Sequence, residues 1–147
     1  MSLKQQLTSD MKEAMRAKAT ERLRVVRLVL AAIKQVEVDT RKELDDATVL
    51  SVIEKQVKQR RESIKQFSDA GRDDLVANEQ AELDLLTPYL PEPLSDDELD
   101  ALISDIIDST GASSIKDMGK VMGQLKARAQ GRVDLGAAGA RIKTRLA

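Results

Sequence analysis

A chain of 147 residues with no cysteine and no histidine lacks a thiolate nucleophile, the commonest general base and the usual zinc ligands at once. Only Phe67 and Tyr89 are aromatic, which excludes a stacking platform for single-stranded nucleic acid. The net charge of −1 is segregated: residues 1–72 carry 16 Lys/Arg and 11 Asp/Glu (net +5), residues 73–110 no Lys/Arg and 12 Asp/Glu (net −12), and residues 111–147 8 Lys/Arg and 2 Asp/Glu (net +6).

Every periodic segment reads as helix, so the predicted fold class is all-α. Leu3, Leu7, Met11, Ala14 and Met15 mark an amphipathic first helix from about Ser2 to Lys18. Thr20 is the predicted N-cap of a second helix reaching about Lys42. Its apolar residues, Leu23 to Val36, cover more than half the circumference and predict burial on several sides. The turn Leu44-Asp45-Asp46 supplies a capping Asp for a third helix, Ala47 to Ala70, with Val49, Ile53, Val57, Ile64 and Phe67 on one face and Gly71 as its stop. Asp73 is the predicted cap of a fourth helix, ending near Leu86 and folding back on the third.

Thr87-Pro-Tyr-Leu-Pro-Glu-Pro-Leu94 breaks the pattern. Three prolines make a stiff linker, so the expected organisation is an N-terminal helical domain (1–87), a hinge (88–94) and a small three-helix domain (95–147). Ser95-Asp-Asp-Glu98 is a capping box for a helix that ends at Gly111. Ser114 caps the next, and Asp134 the last. No run approaches 18 apolar residues, and Met1-Ser-Leu-Lys-Gln5 has no apolar signal core. The expected location is cytoplasmic.

Three constellations carry chemistry. Arg60 falls inside the apolar stripe of the third helix, and Glu79 and Glu82 inside that of the fourth. In a hairpin about Gly71, Arg60 and Glu82 are each eleven residues from the pivot and should meet. Such a pair either binds an anion or fixes the hairpin's register at little net gain in stability. Lys55-Gln-Val-Lys-Gln-Arg-Arg61 reads as a phosphate-binding run or as a solvated helix face. The acidic block 73–108 has no metal-ligand spacing; it reads as surface that can pair with a basic segment.

The most informative stretch is Lys116-Asp-Met-Gly-Lys-Val-Met-Gly-Gln-Leu-Lys-Ala-Arg-Ala-Gln-Gly-Arg132. Ile115, Met118, Val121, Met122 and Leu125 form an apolar stripe. Gly119 and Gly123 lie one row over, and Lys116 and Lys120 lie beyond them. A glycine inside a helix costs about 1 kcal/mol against alanine. Two of them imply that something approaches the backbone: a neighbouring helix, or a nucleic-acid backbone held by the lysines. Lys126, Arg128 and Arg132, then Arg141, Lys143 and Arg145, extend the positive surface. Without aromatics such a surface reads shape and phosphate, as with folded RNA.

Met118-Gly119-Lys120-Val121-Met122-Gly123, Gly131-Arg132-Val133-Asp134 and Tyr89-Leu90-Pro91 make the chain resemble the GatB/YqeY family. Leu30-Ala-Ala-Ile-Lys-Gln35, Lys58-Gln-Arg-Arg-Glu-Ser63 and Ala70-Gly-Arg-Asp-Asp-Leu75 are also similar. At Asp134-Leu135-Gly136 the family's glycine usually follows the acid directly, so the last cap is expected to be set differently. The resemblance implies two all-helical domains, the second similar to the tail domain of the GatB component of the aspartyl/glutamyl-tRNA amidotransferase, which contacts tRNA. The family label, carbon–nitrogen ligase with glutamine as amido-N donor, travels with that domain.

The sequence has no Cys nucleophile, amidase signature, phosphate loop or metal cluster, so the expected role is a non-catalytic tRNA-binding or tRNA-complex accessory protein with no cofactor. Lys116, Gly119, Lys120, Gly123, Lys126, Arg128 and Arg132 are its expected contacts. The alternatives are a protein–protein adaptor acting through the C-terminal domain and a true component of a tRNA-dependent amidotransferase.

Overall fold

The computed structural model describes all 147 residues. Seven α-helices and two single-turn 3-10 segments carry the chain, with no strand, as the periodicity predicts. Two compact units, Met1–Leu90 and Pro91–Ala147, each surround a core of their own.

In the first unit, α1 (Leu3–Arg16) opens on a capping box in which Ser2 Oγ accepts from Gln5 N–H and Gln5 Oε1 from Ser2 N–H. The next helix, α2 (Thr20–Thr40), buries Val25, Val26, Val29 and Ile33. Burial on several sides is not what the fold gives it: Leu28 is 45% and Val38 60% exposed. Neighbouring helices cover one broad face, and the surplus apolar residues meet water. Thr20 is not the N-cap either. Ala19 holds that place without a side-chain bond, and the Thr20 hydroxyl donates to Lys18 O.

Asp45 caps α3 (Asp46–Asp69), accepting from Thr48 N–H at 2.9 Å. The Thr48 hydroxyl and then its N–H hold the Asp45 carboxyl below the usual range. The stripe Val49, Ile53 and Val57 is buried. Gly71, at φ +70°, turns the chain into α4 (Asp73–Leu86), which returns along α3 and buries Leu83 and Leu86. Arg72, not Asp73, is the N-cap residue; Asp73 and Asp74 sit in the first turn, where negative charge suits the helix dipole.

A 3-10 turn, Thr87–Tyr89, ends the unit. Tyr89 and Leu90 pack against the first core, and the Tyr89 hydroxyl donates to Asp10 Oδ2 at 2.5 Å. Part of the predicted linker is therefore anchored.

The second unit starts with α5 (Asp96–Thr110), capped reciprocally by Ser95 and Glu98 and stopped by Gly111 at φ +68°. A 3-10 turn over Ile115–Asp117 leads into α6 (Met118–Arg128), and α7 (Leu135–Leu146) follows. The cap of α7 is made across one intervening residue: Asp134 Oδ1 accepts from Gly136 N–H at 2.9 Å. Leu99, Ile103, Ile106, Val121, Leu125, Ala129, Ala138, Ile142 and Leu146 form the core. No polar side chain is fully buried in either unit, and neither aromatic is.

Tyr89 provides a direct test of the first unit's packing. Burial, and then its bond to Asp10, push its hydroxyl up from 10.0 to about 12. Tyr89 is the only tyrosine and there is no tryptophan, so ultraviolet absorbance titrates this one group. The expected midpoint is about 12 in the folded protein, returning to about 10 in denaturant. The folded state holds this proton more tightly, so its contribution to stability is whole below pH 10 and is lost as pH rises through 12. Asp10→Asn should lower the folded midpoint; a midpoint near 10 in folded wild type would show Tyr89 to be solvated.

Candidate nucleic-acid interface

The apolar stripe of α6 determines which residues it shows to solvent. Val121 and Leu125 are wholly buried, and Met118 and Met122 pack against the same core. At about 100° per residue, Gly119, Lys120, Gly123, Lys126 and Ala127 must then point away, and all five are exposed or partly so. Lys116, in the preceding 3-10 turn, is exposed as well. That turn is fixed by Asp117, whose Oδ2 accepts from Ser113 N–H at 2.9 Å and Ser114 N–H at 3.3 Å. These bonds hold the Asp117 carboxyl below its ordinary range, with a smaller contribution from the charge of Lys120.

Within the second unit nothing packs over the two glycines. A methyl group added at Gly119 or Gly123 would meet no atom within 4 Å. The neighbouring-helix explanation therefore fails within this unit. The glycine that does lie against another helix is Gly139 of α7, where a methyl would touch Met118 Cε at 3.6 Å and Met122 at 3.8 Å. Gly139 is not among the residues singled out from the sequence. Its signal was the run Gly136-Ala-Ala-Gly-Ala140, whose small side chains suit a close helix contact.

The cations divide by type. The lysines Lys116, Lys120 and Lys126 stand on the open face without a hydrogen-bonded carboxylate. The arginines are turned inward to other parts of the unit. Arg128 Nη1 lies 2.8 Å from Asp105 Oδ2 of α5. Arg132 Nε donates to Glu92 O at 2.8 Å, while its own carbonyl accepts from Leu94 N–H at 2.8 Å. Arg141 pairs with Asp96 and Asp100, and Arg145 donates to Asp100 O and Ser104 Oγ. The continuous positive surface expected from the sequence is thus narrower, because α5 carboxylates and linker carbonyls occupy these guanidinium groups. The acidic block does pair within the chain, at these positions.

In the first unit Glu82 sits between two arginines. Arg60 Nε lies 3.3 Å from Glu82 Oε2, with side chains 11% and 13% exposed. It is not aligned to donate there; Arg60 Nη1 donates instead to Gln56 O at 3.2 Å. Arg24 also binds Glu82, and that hydrogen bond, then the attraction of the charge, raises the Arg24 guanidinium above its ordinary value. Glu79 makes no direct pair and acts on Arg24 only through space. The three charges join α2, α3 and α4, which favours a structural role.

No group of His, Cys, Asp and Glu is placed to hold a metal ion, and no helix is long and apolar enough to cross a membrane.

The family model described as Yqey-like protein matches residues 4–146. The chain belongs to the Yqey-like family. Its curated relatives include proteins named altered inheritance of mitochondria protein 41, mitochondrial. The one from Pyrenophora tritici-repentis is 34% identical over 128 residues, covering 84% of this chain and 71% of the relative. That from Eremothecium gossypii is 45% identical over 85 residues, 57% of this chain and 46% of the relative. That from Lachancea thermotolerans is 36% identical over 104 residues, 69% of this chain and 56% of the relative. The matched region is thus about half the length of two of these three relatives.

These names overturn the expected cytoplasmic location: the curated relatives are mitochondrial proteins. The expectation rested on the lack of an apolar signal core. A mitochondrial address needs no such core, since transit peptides are amphipathic, rich in Arg and poor in acid.

The open glycine face has a measurable consequence for stability. Gly123 lies inside α6 with room for a methyl group, so Gly123→Ala should stabilise the second unit by about 0.5–1 kcal/mol in urea unfolding. A loss of stability would mean that the space over Gly123 is filled in solution.

Proposed function

We propose that the chain is a non-catalytic RNA-binding module that takes tRNA, or a complex carrying tRNA, on the exposed face of α6. One observation carries this reading: Gly119 and Gly123 stand uncovered in a helix, with Lys116 and Lys120 beside them. The second unit gives no internal reason for either glycine, and at Gly123, inside α6, alanine would favour the helix. A rigid backbone approaching from outside gives the reason. The glycines admit close contact and the lysines meet phosphate oxygens. Lys126 is exposed on the other side of the glycines, whereas Arg128 and Arg132 start from internal bonds.

The chemistry available supports binding over catalysis. The two most enclosed carboxylates are both held by cations, Glu37 by Lys4 and Glu82 by two arginines. The carboxylates with lowered pKa are caps or ion-pair partners: Glu37, Asp45, Asp74, Glu98 and Asp117. None is poised near neutrality as a general base. A carbon–nitrogen ligase or transamidation role would require active groups supplied by another protein.

Ile115 favours a second reading. It is 47% exposed beside Lys116, and an apolar residue there suits a protein-interaction adaptor. Phosphate contact requires lysine charge and responds to salt; apolar docking responds weakly.

Titration of labelled tRNA, cytosolic and mitochondrial, at two salt concentrations separates them. Wild type should bind with a steep salt dependence. Lys116→Ala/Lys120→Ala should weaken binding and flatten the log–log slope by about 1.5, the loss of two phosphate contacts. Equal, salt-insensitive affinities for the two proteins would sink the RNA reading and leave the adaptor.

A further inference from the structure

We propose that Asp105 sets the selectivity of the α6 face by holding Arg128 in reserve. This rests on the reading of that face as an RNA contact. Arg128 is the last residue of α6, on the edge between the lysine face and α5. Its guanidinium is bound at 2.8 Å to one carboxylate oxygen of Asp105, and both side chains are open to water, 44% and 64% exposed.

That pair differs from the other arginine contacts of the unit. Arg141 is held by two carboxylates, Asp96 and Asp100, at 2.9 and 2.8 Å. Arg132 is built into the link between Glu92 and Leu94 and cannot leave without releasing it. Arg128 has a single exposed partner. A phosphodiester is the natural competitor for it, because phosphate and carboxylate offer the same paired acceptor oxygens to a guanidinium fork. Asp105 takes one arm of that fork with one oxygen, so a phosphate that engages both arms can replace it.

The exchange discriminates between RNAs by reach. Lys120 and Arg128 are eight residues apart, about 12 Å along a helix rising 1.5 Å per residue. A backbone held stiffly along α6 brings a phosphate to Arg128 at no further ordering cost and can displace Asp105. A flexible strand must lose conformational freedom to do so, and Asp105 tips the balance against it. The ligand class selected is a folded RNA with a rigid backbone at least that long. The lysines alone would hold any polyanion.

The test uses the full chain, a labelled folded tRNA transcript and a labelled oligouridine, with anisotropy read at two salt concentrations. Asp105→Asn should tighten oligouridine binding by about two- to fivefold, the range in which exposed ion pairs act. It should steepen the oligouridine salt slope by about 0.7, one added single-strand phosphate contact. tRNA binding should change less, so the preference for tRNA narrows. Asp108→Asn removes the same charge from an α5 residue with no ion-pair partner and controls for long-range repulsion; it should leave the preference in place. In Asp105→Asn/Arg128→Ala the gain should vanish, with circular dichroism melts confirming that each variant is folded. Identical behaviour of Asp105→Asn and Asp108→Asn, or a gain that survives loss of Arg128, would overturn the proposal while leaving the α6 reading intact. Wild type binding neither RNA in a salt-dependent way would overturn both.

Discussion

Burial of Val121 and Leu125 decides what the second unit can present to a partner. A helix that commits one stripe to a core commits the opposite stripe to water. With both residues fully enclosed by α5 and α7, the outward row of α6 is fixed as Gly119, Lys120, Gly123 and Lys126. Close contact between α6 and α7 at Gly139 keeps the methionines Met118 and Met122 on the inner side. The exposed glycines are a consequence of this packing and play no part in it.

The same packing sorts the cations. Planar guanidinium groups make directed pairs, and Arg128, Arg141 and Arg145 spend them on α5, a helix whose first turn alone carries Asp96, Asp97 and Glu98. Acid in the first turn suits that helix's dipole, and basic partners relieve the repulsion that follows. Lysines, compact charges on flexible stems, are left on the open face. A unit with a core of nine small aliphatic residues and no aromatic thus uses surface pairs to align its helices and still keeps a basic row in solvent. In the first unit the corresponding junction is Glu82 between Arg24 and Arg60, which ties three helices at one carboxylate.

Much of this was legible in the sequence because it is local. The stripe Val49, Ile53 and Val57, the stops at Gly71 and Gly111, a capping Asp before α3 and the caps at Ser95 and Asp134 follow from residue types a few positions apart. Local signals failed where two residues competed for one role: Ala19 and Arg72 took the cap positions expected of Thr20 and Asp73. The exposure of Leu28 and Val38 depends on how many helices surround α2, which periodicity does not count. The arginine pairings were not legible either. A helical wheel places Arg128 near the lysine edge, but Asp105 is 23 residues away and only the packed unit brings it to 2.8 Å. Location escaped for a different reason: the expectation weighed only an apolar secretory signal, whereas mitochondrial transit segments are amphipathic and Arg-rich.

The central claim is that the uncovered row of α6 meets RNA. Backbone amide resonances report it most directly, because Gly119 and Gly123 have no side chains through which an indirect contact could act. In a titration of isotope-labelled protein with tRNA, the amides of Gly119, Lys120 and Gly123 should shift or broaden first, and those of the exposed α2 face around Leu28 should not. Unchanged α6 amides at saturating tRNA, or changes confined to the first unit, would contradict the account.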